Sequence, residues 1–593
     1  MEKKINIFRN ILSVCGCFIF AYYMNFNAPI MWGAIMALVL VIAINKIGVC
    51  RENSNIVPMM FFSFLLSAVI ILGKHININT DNLYSGNIDT SYISSYKWYD
   101  IIAWLLMTYL FAVIICILYR CKIKKAWLNI EINSEKKISC KTTILFMCLL
   151  FLAWLPYLIV YFPGFYFGDS VGSVAQAIGQ TQLNNHHPVI YAIFIRLCIW
   201  IAGGKTAVTA GIAIYCIVQM LYMSFVLGSF INWLMVRFNI NKIVLLFWGI
   251  LLGTCPYIAQ FSVTVWKDPI FSVSIVLASM LLYEIFLKKT DKKAQIIISI
   301  ELFISLSVMN FSRNNGLYIV LVIFLIALLG LLRKDIRTVV IKIIIVSVSV
   351  IVLNSVITGP VYNSIGVIQD DKKAESYGIF LSQMARVVTL RGNLSESDKE
   401  YMNAVLPLDE YEKLYAPGCI DNLKWSGEFN NSALDKDFFK TYFSILKKNP
   451  KMCFEAWEFQ TFGFWTLNQK IINNYDDNIS AGVPRNIYPN DINEIDNLKI
   501  KKVDVNSKAV NLFPYTGNFI PVAYANWLLI AVAIFSLFKF RLDDLIVVAP
   551  ALGLMATLII ASPIFYWPRY GLSLIHISEP TRPTRISRMP SSA

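Results

Sequence analysis

About fourteen stretches of this chain are apolar over close to the length a bilayer core demands, and no other feature restricts the fold so strongly. They fall at 7–24, 30–47, 57–72, 101–118 and 142–162, then at 188–202, 207–235, 243–261 and 270–287, and finally at 296–308, 317–332, 339–356, 520–538 and 545–560. An α-helix rises about 1.5 Å per residue, so roughly 20 apolar residues cross a hydrocarbon core of about 30 Å while satisfying their own backbone. The chain has 593 residues, 57% of them hydrophobic, and a mean hydropathy of +0.59. A soluble fold of that size has too little interior for so much apolar surface. The expectation is an all-α polytopic membrane protein. The first apolar run lacks a small-residue cleavage site, so it reads as retained. No internal repeat emerges.

The formal net charge is +15. In a membrane protein, excess Lys and Arg mark cytoplasmic loops and attract anionic lipid, so the lipid bilayer is the expected partner and nucleic acid is not. Lys3, Lys4 and Arg9 place the N-terminus inside. Further inner loops are marked by Arg120, Lys122, Lys124, Lys125, Lys136 and Lys137, and by Lys288, Lys289, Lys292 and Lys293. Arg333, Lys334 and Arg337 mark another, as do Lys539 and Arg541. Counting outward from the Arg120 cluster puts the loop 163–187 outside, and counting back from the Lys288 cluster puts Lys267 and Asp268 outside. The two counts agree only if 207–235 crosses an even number of times, so two short passes or a re-entrant hairpin are expected there. The twelve cysteines form no CxxC pattern and read as small buried hydrophobes. Usage rich in Ile, Asn and Lys resembles proteins of AT-rich bacterial genomes.

These signals divide the chain. Residues 1–140 form an N-terminal membrane module of about four spans. Residues 141–358 form a membrane core with its first outer loop at 163–187. Residues 359–519 are polar, carry no run of membrane length, and form an α-rich extracytoplasmic domain inserted before the last spans at 520–571. Helical patterns fall at 377–390 and 437–447, with a break at Asn449-Pro450. The partly apolar stretch 452–467 is expected along the membrane surface, its aromatic residues at headgroup depth. The segment 572–593 contains LSLIHISEPTR, which resembles the translation of a common sequencing adapter. It is set aside as read-through, and the native chain is expected to continue past Gly571.

The polar groups that end spans on the outer side gather in short motifs. The first outer loop reads FPGFYFGDSVGSVAQAIGQTQLNNHHP and supplies Asp169, His186 and His187, in a chain with only four histidines. Trp266-Lys267-Asp268-Pro269 opens one span, Ser312-Arg313-Asn314-Asn315-Gly316 links two more, and Arg569-Tyr570 comes late. Ionisable groups held at a bilayer edge beside a cavity are functional candidates. Each also has a plain structural reading. Asp169 is placed to cap a helix from Ser170. His186-His187-Pro188 suits a turn and helix start, and two adjacent imidazoles are too few for a metal site. Lys267 with Asp268 suits an interfacial anchor and local ion pair. Arg313 also suits an interfacial anchor, but the Asn-Asn-Gly beside it suggests a tight polar turn facing a pocket. Arg196, inside a span, is expected to snorkel to the inner surface.

Taken in order, FPGFYFGDS with HHP, then WKDP, SRNNG, a large outer domain and a late RYG, the chain resembles the GT-C superfamily of integral-membrane glycosyltransferases. It is similar in flavour to bacterial relatives of the protein mannosyltransferases and the aminoarabinose transferases. The resemblance covers roughly 162–571, and the first four spans look like an added module. It implies a GT-C-like fold and transfer of a sugar from a polyprenyl-phosphate donor to a glycan, lipid or protein acceptor of the cell envelope. The active site would lie on the extracytoplasmic face of the cell membrane. It assigns Asp169 as catalytic base and gives Lys267, Asp268, Arg313, His186, His187, Arg569 and Tyr570 to substrate binding. A divalent cation, Mg or Mn, is possible, but the lone Asp169-Ser170 departs from the paired acids of many relatives and puts a first-loop metal in doubt. The alternative is a polytopic transporter, or a lipid-linked glycan flippase or polymerase. Transporters favour repeats, broken helices and midplane charges, and polymerases usually carry outer loops rich in Arg and His.

Overall fold

A computed structural model describes residues 2–47, 56–77, 93–120, 133–166, 168–369, 373–468, 480–481, 501–502 and 522–561. The N-terminal module consists of α1 (Glu2–Tyr23), α2 (Pro29–Ile47), α3 (Ile56–His75) and α4 (Trp98–Arg120). The core continues with α5 (Cys140–Val160), the two-residue strand β1 (Phe165–Tyr166), α6 (Gly168–Ile178), α7 (Val189–Ala202) and α8 (Val208–Arg237). Then come α9 (Lys242–Thr254), α10 (Pro256–Ser262), α11 (Lys267–Leu287), α12 (Lys292–Ser312), α13 (Gly316–Gly330) and α14 (Arg337–Val356). Among the described residues, nine helices are long and apolar enough to cross a membrane, and five apolar helices are shorter. The chain is thus an all-α polytopic membrane protein.

Between α14 and the last helices lie α15 (Tyr362–Ser364), α16 (Lys373–Ser376), α17 (Gly378–Thr389), α18 (Glu396–Val405), α19 (Leu408–Leu414), α20 (Asp421–Lys424), α21 (Phe438–Lys448) and α22 (Pro450–Thr461). The chain returns with α23 (Val522–Phe538) and α24 (Leu542–Ala561). The helices expected at 377–390 and 437–447 are α17 and α21, and the break at Asn449 is where α22 starts on Pro450, whose missing N–H costs nothing in a first turn. Leu381, Met384, Val405, Tyr415, Phe438 and Ile445 form a core of their own. The stretch 452–467 departs from expectation. Phe459, Phe462, Phe464 and Trp465 are buried in the main bundle core instead of lying along a membrane surface, because Trp457 and Trp465 stack and Trp527 donates to Trp465 O.

The largest correction concerns 207–235. It is neither a hairpin nor two passes, but the single 30-residue helix α8. Its turn-capable residues do not break it. Gly211 and Gly228 serve close packing instead: a Cβ at Gly211 would meet Ile199 Cα at 2.4 Å, and one at Gly228 would meet Met147 N at 2.8 Å. The two ends of α8 define the two ends of the bundle. At its C-terminal end, Arg237 pairs with Glu284 at 2.5 Å and donates to the carbonyls of Asn133 and Lys136. Near its start, Tyr215 Oη donates to Trp266 O at 2.9 Å. The helix therefore runs from the end holding Lys267 to the end holding Asn133 and Lys136.

The odd segment out is α7. His187, just before it, touches Lys267. Lys205, just after it, lies beside Gly179, with Nζ 3.6 Å from where a Cβ would stand. Both ends of α7 therefore stay at one end of the bundle. Arg196 does not reach the opposite surface; it donates to the carbonyls of Gln176 and Ala177 and so caps the last turn of α6. Leu197, Trp200 and Ile201 on α7 are exposed, an apolar outer side that suits contact with lipid. Asp169 is the second residue of α6 and its side chain lies outside the described residues, as do Arg569, Tyr570 and the tail 572–593.

Candidate functional site

The site is built on a stretch of backbone that leaves the helical pattern between α10 and α11. Cys255 precedes Pro256 and takes an extended conformation, since the proline ring clashes with a helical residue before it; this separates α9 from α10. When α10 ends, its last carbonyls are left without intrahelical partners. Gln219, fully buried on α8, meets that need: its Nε2 lies 3.0, 3.0 and 2.7 Å from the carbonyls of Phe261, Ser262 and Thr264. The stretch is held from the other side by β1, since Phe165 N donates to Val263 O and Val265 N donates to Phe165 O. β1 itself pairs antiparallel with β2 (Ser480–Ala481), which pairs with β3 (Lys501–Lys502). Ser170 Oγ donates to Val265 O at 2.5 Å, bringing the start of α6, and with it the backbone of Asp169, beside the residues that precede Lys267.

From this scaffold α11 begins with Lys267 and Asp268, both buried. Lys267 Nζ lies 3.0 Å from His187 Nδ1. An ammonium can only donate, so Nδ1 accepts and the imidazole proton sits on Nε2. Arg313, which follows α12, stands 3.0 Å from Asp268 as an ion pair, with the side chains 12% and 2% exposed. Its guanidinium also lies 5.7 Å from the centre of the Phe271 ring. Asn314 Nδ2 donates to His186 O at 3.0 Å, tying the α12–α13 turn to the first loop. The rings of His186 and His187 meet edge to face at 4.7 Å, and His186 faces Trp425 of the polar domain at 6.2 Å.

Three separate segments thus deliver His186, His187, Lys267, Asp268, Arg313 and Asn314 to one end of the bundle. Two of these residues carry partners that sequence reasoning did not assign. Asp268 pairs with Arg313 and does not serve only as a neighbour of Lys267, and the loop histidine holds the lysine. Gln219, Tyr215 and Trp425 were missed altogether. The only signal for the first two is polar side chains four apart in an otherwise apolar run, which puts them on one helix face; Trp425 has no local signal. A divalent ion does not fit the described donors. Among the described residues no three His, Cys, Asp or Glu side chains cluster, and the carboxylate of Asp268 already faces a guanidinium.

A second polar cluster fastens the N-terminal module at the same end. His75 Nε2 lies 3.1 Å from Asp100 and His75 Nδ1 2.8 Å from Ser94 Oγ, while Tyr23 Oη donates to Asp100. Asn468 donates to the carbonyls of Tyr23 and Ile70. Tyr96 Oη reaches Glu458 at 3.4 Å. Burial, reinforced by the charge of Glu455, pushes the Glu458 carboxyl up to about 8.

These features define a polytopic helical membrane protein with a charged site at one end of its bundle, roofed in part by a polar domain. Within that class, the chain belongs to the family of unknown function DUF6020, which matches residues 177–578. The match spans His186, His187, Lys267, Asp268, Arg313, Arg569 and Tyr570 and leaves out the N-terminal module and Asp169. No curated protein and no solved structure matches the chain.

Proposed function

We propose that this protein is a membrane glycosyltransferase that moves a sugar from a polyprenyl-phosphate carrier to a cell-envelope acceptor at the outer face of the membrane. The observation that carries the reading is the placement of Lys267, held by His187, and of Arg313, held by the adjacent Asp268, at one end of an apolar bundle. That end is the outer one on charge grounds. Lys288, Lys292, Arg333, Arg337, Lys539 and Arg541 all belong to turns at the opposite end, where Lys288 bonds Ser134 O and Arg333 pairs with Asp543. Because α7 begins and ends at the site end, the two charge counts agree without a hairpin. Among the described residues the nine long helices cross, as do α1, α9 continued by α10, α13 and α23, which gives thirteen crossings.

In the proposed reaction the lipid phosphate lies between Lys267 and Arg313. The acceptor hydroxyl oxygen attacks the anomeric carbon. The bond from that carbon to the phosphate oxygen breaks, and its electron pair stays with the phosphate. The hydroxyl proton passes to Asp169, at the start of α6. Charge grows on the phosphate as the bond breaks, so fixed cations there lower the barrier. One displacement with one base inverts the anomeric centre. The transporter alternative has less support, since the paired groups Lys267 with His187 and Asp268 with Arg313 gather at an end of the bundle, and Glu301, halfway along α12, stands apart from them.

The test is turnover of purified protein in nanodiscs with polyprenyl-phosphate sugars. Lys267→Ala and Arg313→Ala should each lose about ten- to a hundredfold in donor affinity or rate, the worth of a charge-assisted bond. Arg313→Lys should also be impaired, because an ammonium cannot replace a guanidinium fork that grips carboxylate and phosphate together. The loss should be the same with two donors of different sugar. Unchanged donor affinity and turnover in all three variants would leave these residues as anchors and remove the reading.

A further inference from the structure

Resting on the glycosyltransferase reading, we infer that Trp425 is the platform on which a pyranose ring of the acceptor stacks. Trp425 is 70% exposed, an unusual position for the largest apolar side chain. It is not loosely placed. Its backbone N donates to Asp421 O at 2.9 Å, and the preceding Lys424 is buried in ion pairs with Glu375 at 2.6 Å and Asp421 at 2.5 Å. Leu423 on the same turn is buried in the core of the polar domain. The fold therefore fixes the indole outward at the point where the polar domain meets the first loop, edge to face with His186 at 6.2 Å.

The surroundings select the ligand. An indole face is electron-rich and apolar, and it suits the C–H face of a pyranose. The sugar's hydroxyls need planar donors and acceptors around that face. The neighbouring loop supplies them: Asn314 reaches His186 O, and Asn185 donates to Gln369. An aromatic plane beside an imidazole, with amide groups on the loop and turn that hold that histidine, is the composition of a sugar site. A lipid tail would find too many polar groups here, and an anion would find the cations one side chain further in, past His187 at Lys267. That ordering also decides between donor and acceptor. The carrier's lipid and phosphate belong with Lys267 and Arg313, at the end of the bundle. Trp425 stands on the polar-domain side of His186, where an acceptor glycan would approach.

The experiment uses the full chain in nanodiscs and the methyl glycosides of glucose, galactose, mannose and N-acetylglucosamine, with binding read by saturation-transfer NMR. At least one glycoside should show saturated ring protons. Trp425→Ala should weaken it by about five- to tenfold, whereas Trp425→Phe should retain most of the binding, because the aromatic face is kept. In turnover assays Trp425→Ala should raise the acceptor KM and leave the donor KM unchanged. Binding by no glycoside, or equal binding by Trp425→Ala, overturns the platform. A rise in donor KM alone overturns the acceptor assignment. Glycoside binding that depends on Trp425, in a protein that neither binds nor consumes polyprenyl-phosphate sugars, supports the platform and removes the transferase. Transfer that depends on Lys267 but is indifferent to Trp425 does the reverse.

Discussion

The ion pair between Asp268 and Arg313 joins the start of α11 to the end of α12, and its rupture should be expensive. With both side chains largely buried and 3.0 Å apart, the attraction is about 5–6 kcal/mol at an effective dielectric constant near 20. Most of that gain is offset by the cost of taking two ions out of water, so the pair as a whole adds little to stability. Removing one partner leaves the other buried without its counter-charge, at a cost of roughly 3–5 kcal/mol. Asp268→Asn and Arg313→Gln, which keep shape while removing charge, should each lower the thermal midpoint of the protein in nanodiscs well below that of the parent. The double variant removes both charges and should recover part of the loss, with a coupling of about 2–3 kcal/mol. The expected order of Tm is parent, double variant, then either single variant. Measuring unfolding of all four proteins by heat and by denaturant closes the cycle. Additive losses, with coupling below about 0.5 kcal/mol, would mean the two charges are solvated separately and would refute the argument.

Other outcomes are equally open to measurement. Asp169→Asn should leave insertion intact, because Asn keeps the side chain's shape in the first turn of α6, where the structure puts the residue instead of at the cap, yet cost about two to four orders of magnitude in turnover; near-normal turnover would reduce Asp169 to a first-turn helix residue. Cysteine placed at Lys205 should react with an impermeant label from the same side as cysteine at Asn430, and opposite to cysteine at Lys292, since α7 starts and ends at the site end; labelling with Lys292 would show that α7 crosses. Glu458 offers a pH test. Its folded-state pKa, about 8, lies above the ordinary 4.5, so the folded protein holds a proton that the unfolded chain releases, and stability falls as pH rises between those values. Glu458→Gln should match the parent below about pH 4.5 and gain stability relative to it as pH rises toward 8, as read from Tm across that range; equal midpoints at pH 5 and pH 8 would contradict the assignment.

Much was readable from the linear order of residues. Apolar runs of membrane length give helices wherever they occur, because a bilayer or a dry core leaves no other way to satisfy the backbone. Lys and Arg between the runs assign their ends. The short polar strings at 186–187, 267–268 and 313–314 announced themselves as charges where apolar helices stop. What one dimension does not hold is the partner of each group. Pairing Lys267 with His187 and Asp268 with Arg313 takes contacts between residues 80 and 45 positions apart. The course of α7 is the clearest case. Its composition is that of a span, and only the packing of its two ends against Lys267 and Gly179 keeps it on one side. Hydropathy measures what a segment can be buried in, and it carries no term for where the neighbouring segments already stand. Trp425 makes the same point from the polar domain: nothing beside it in sequence bears on His186, and the meeting exists because a group of helices with its own buried core packs against the first loop at one end of the bundle.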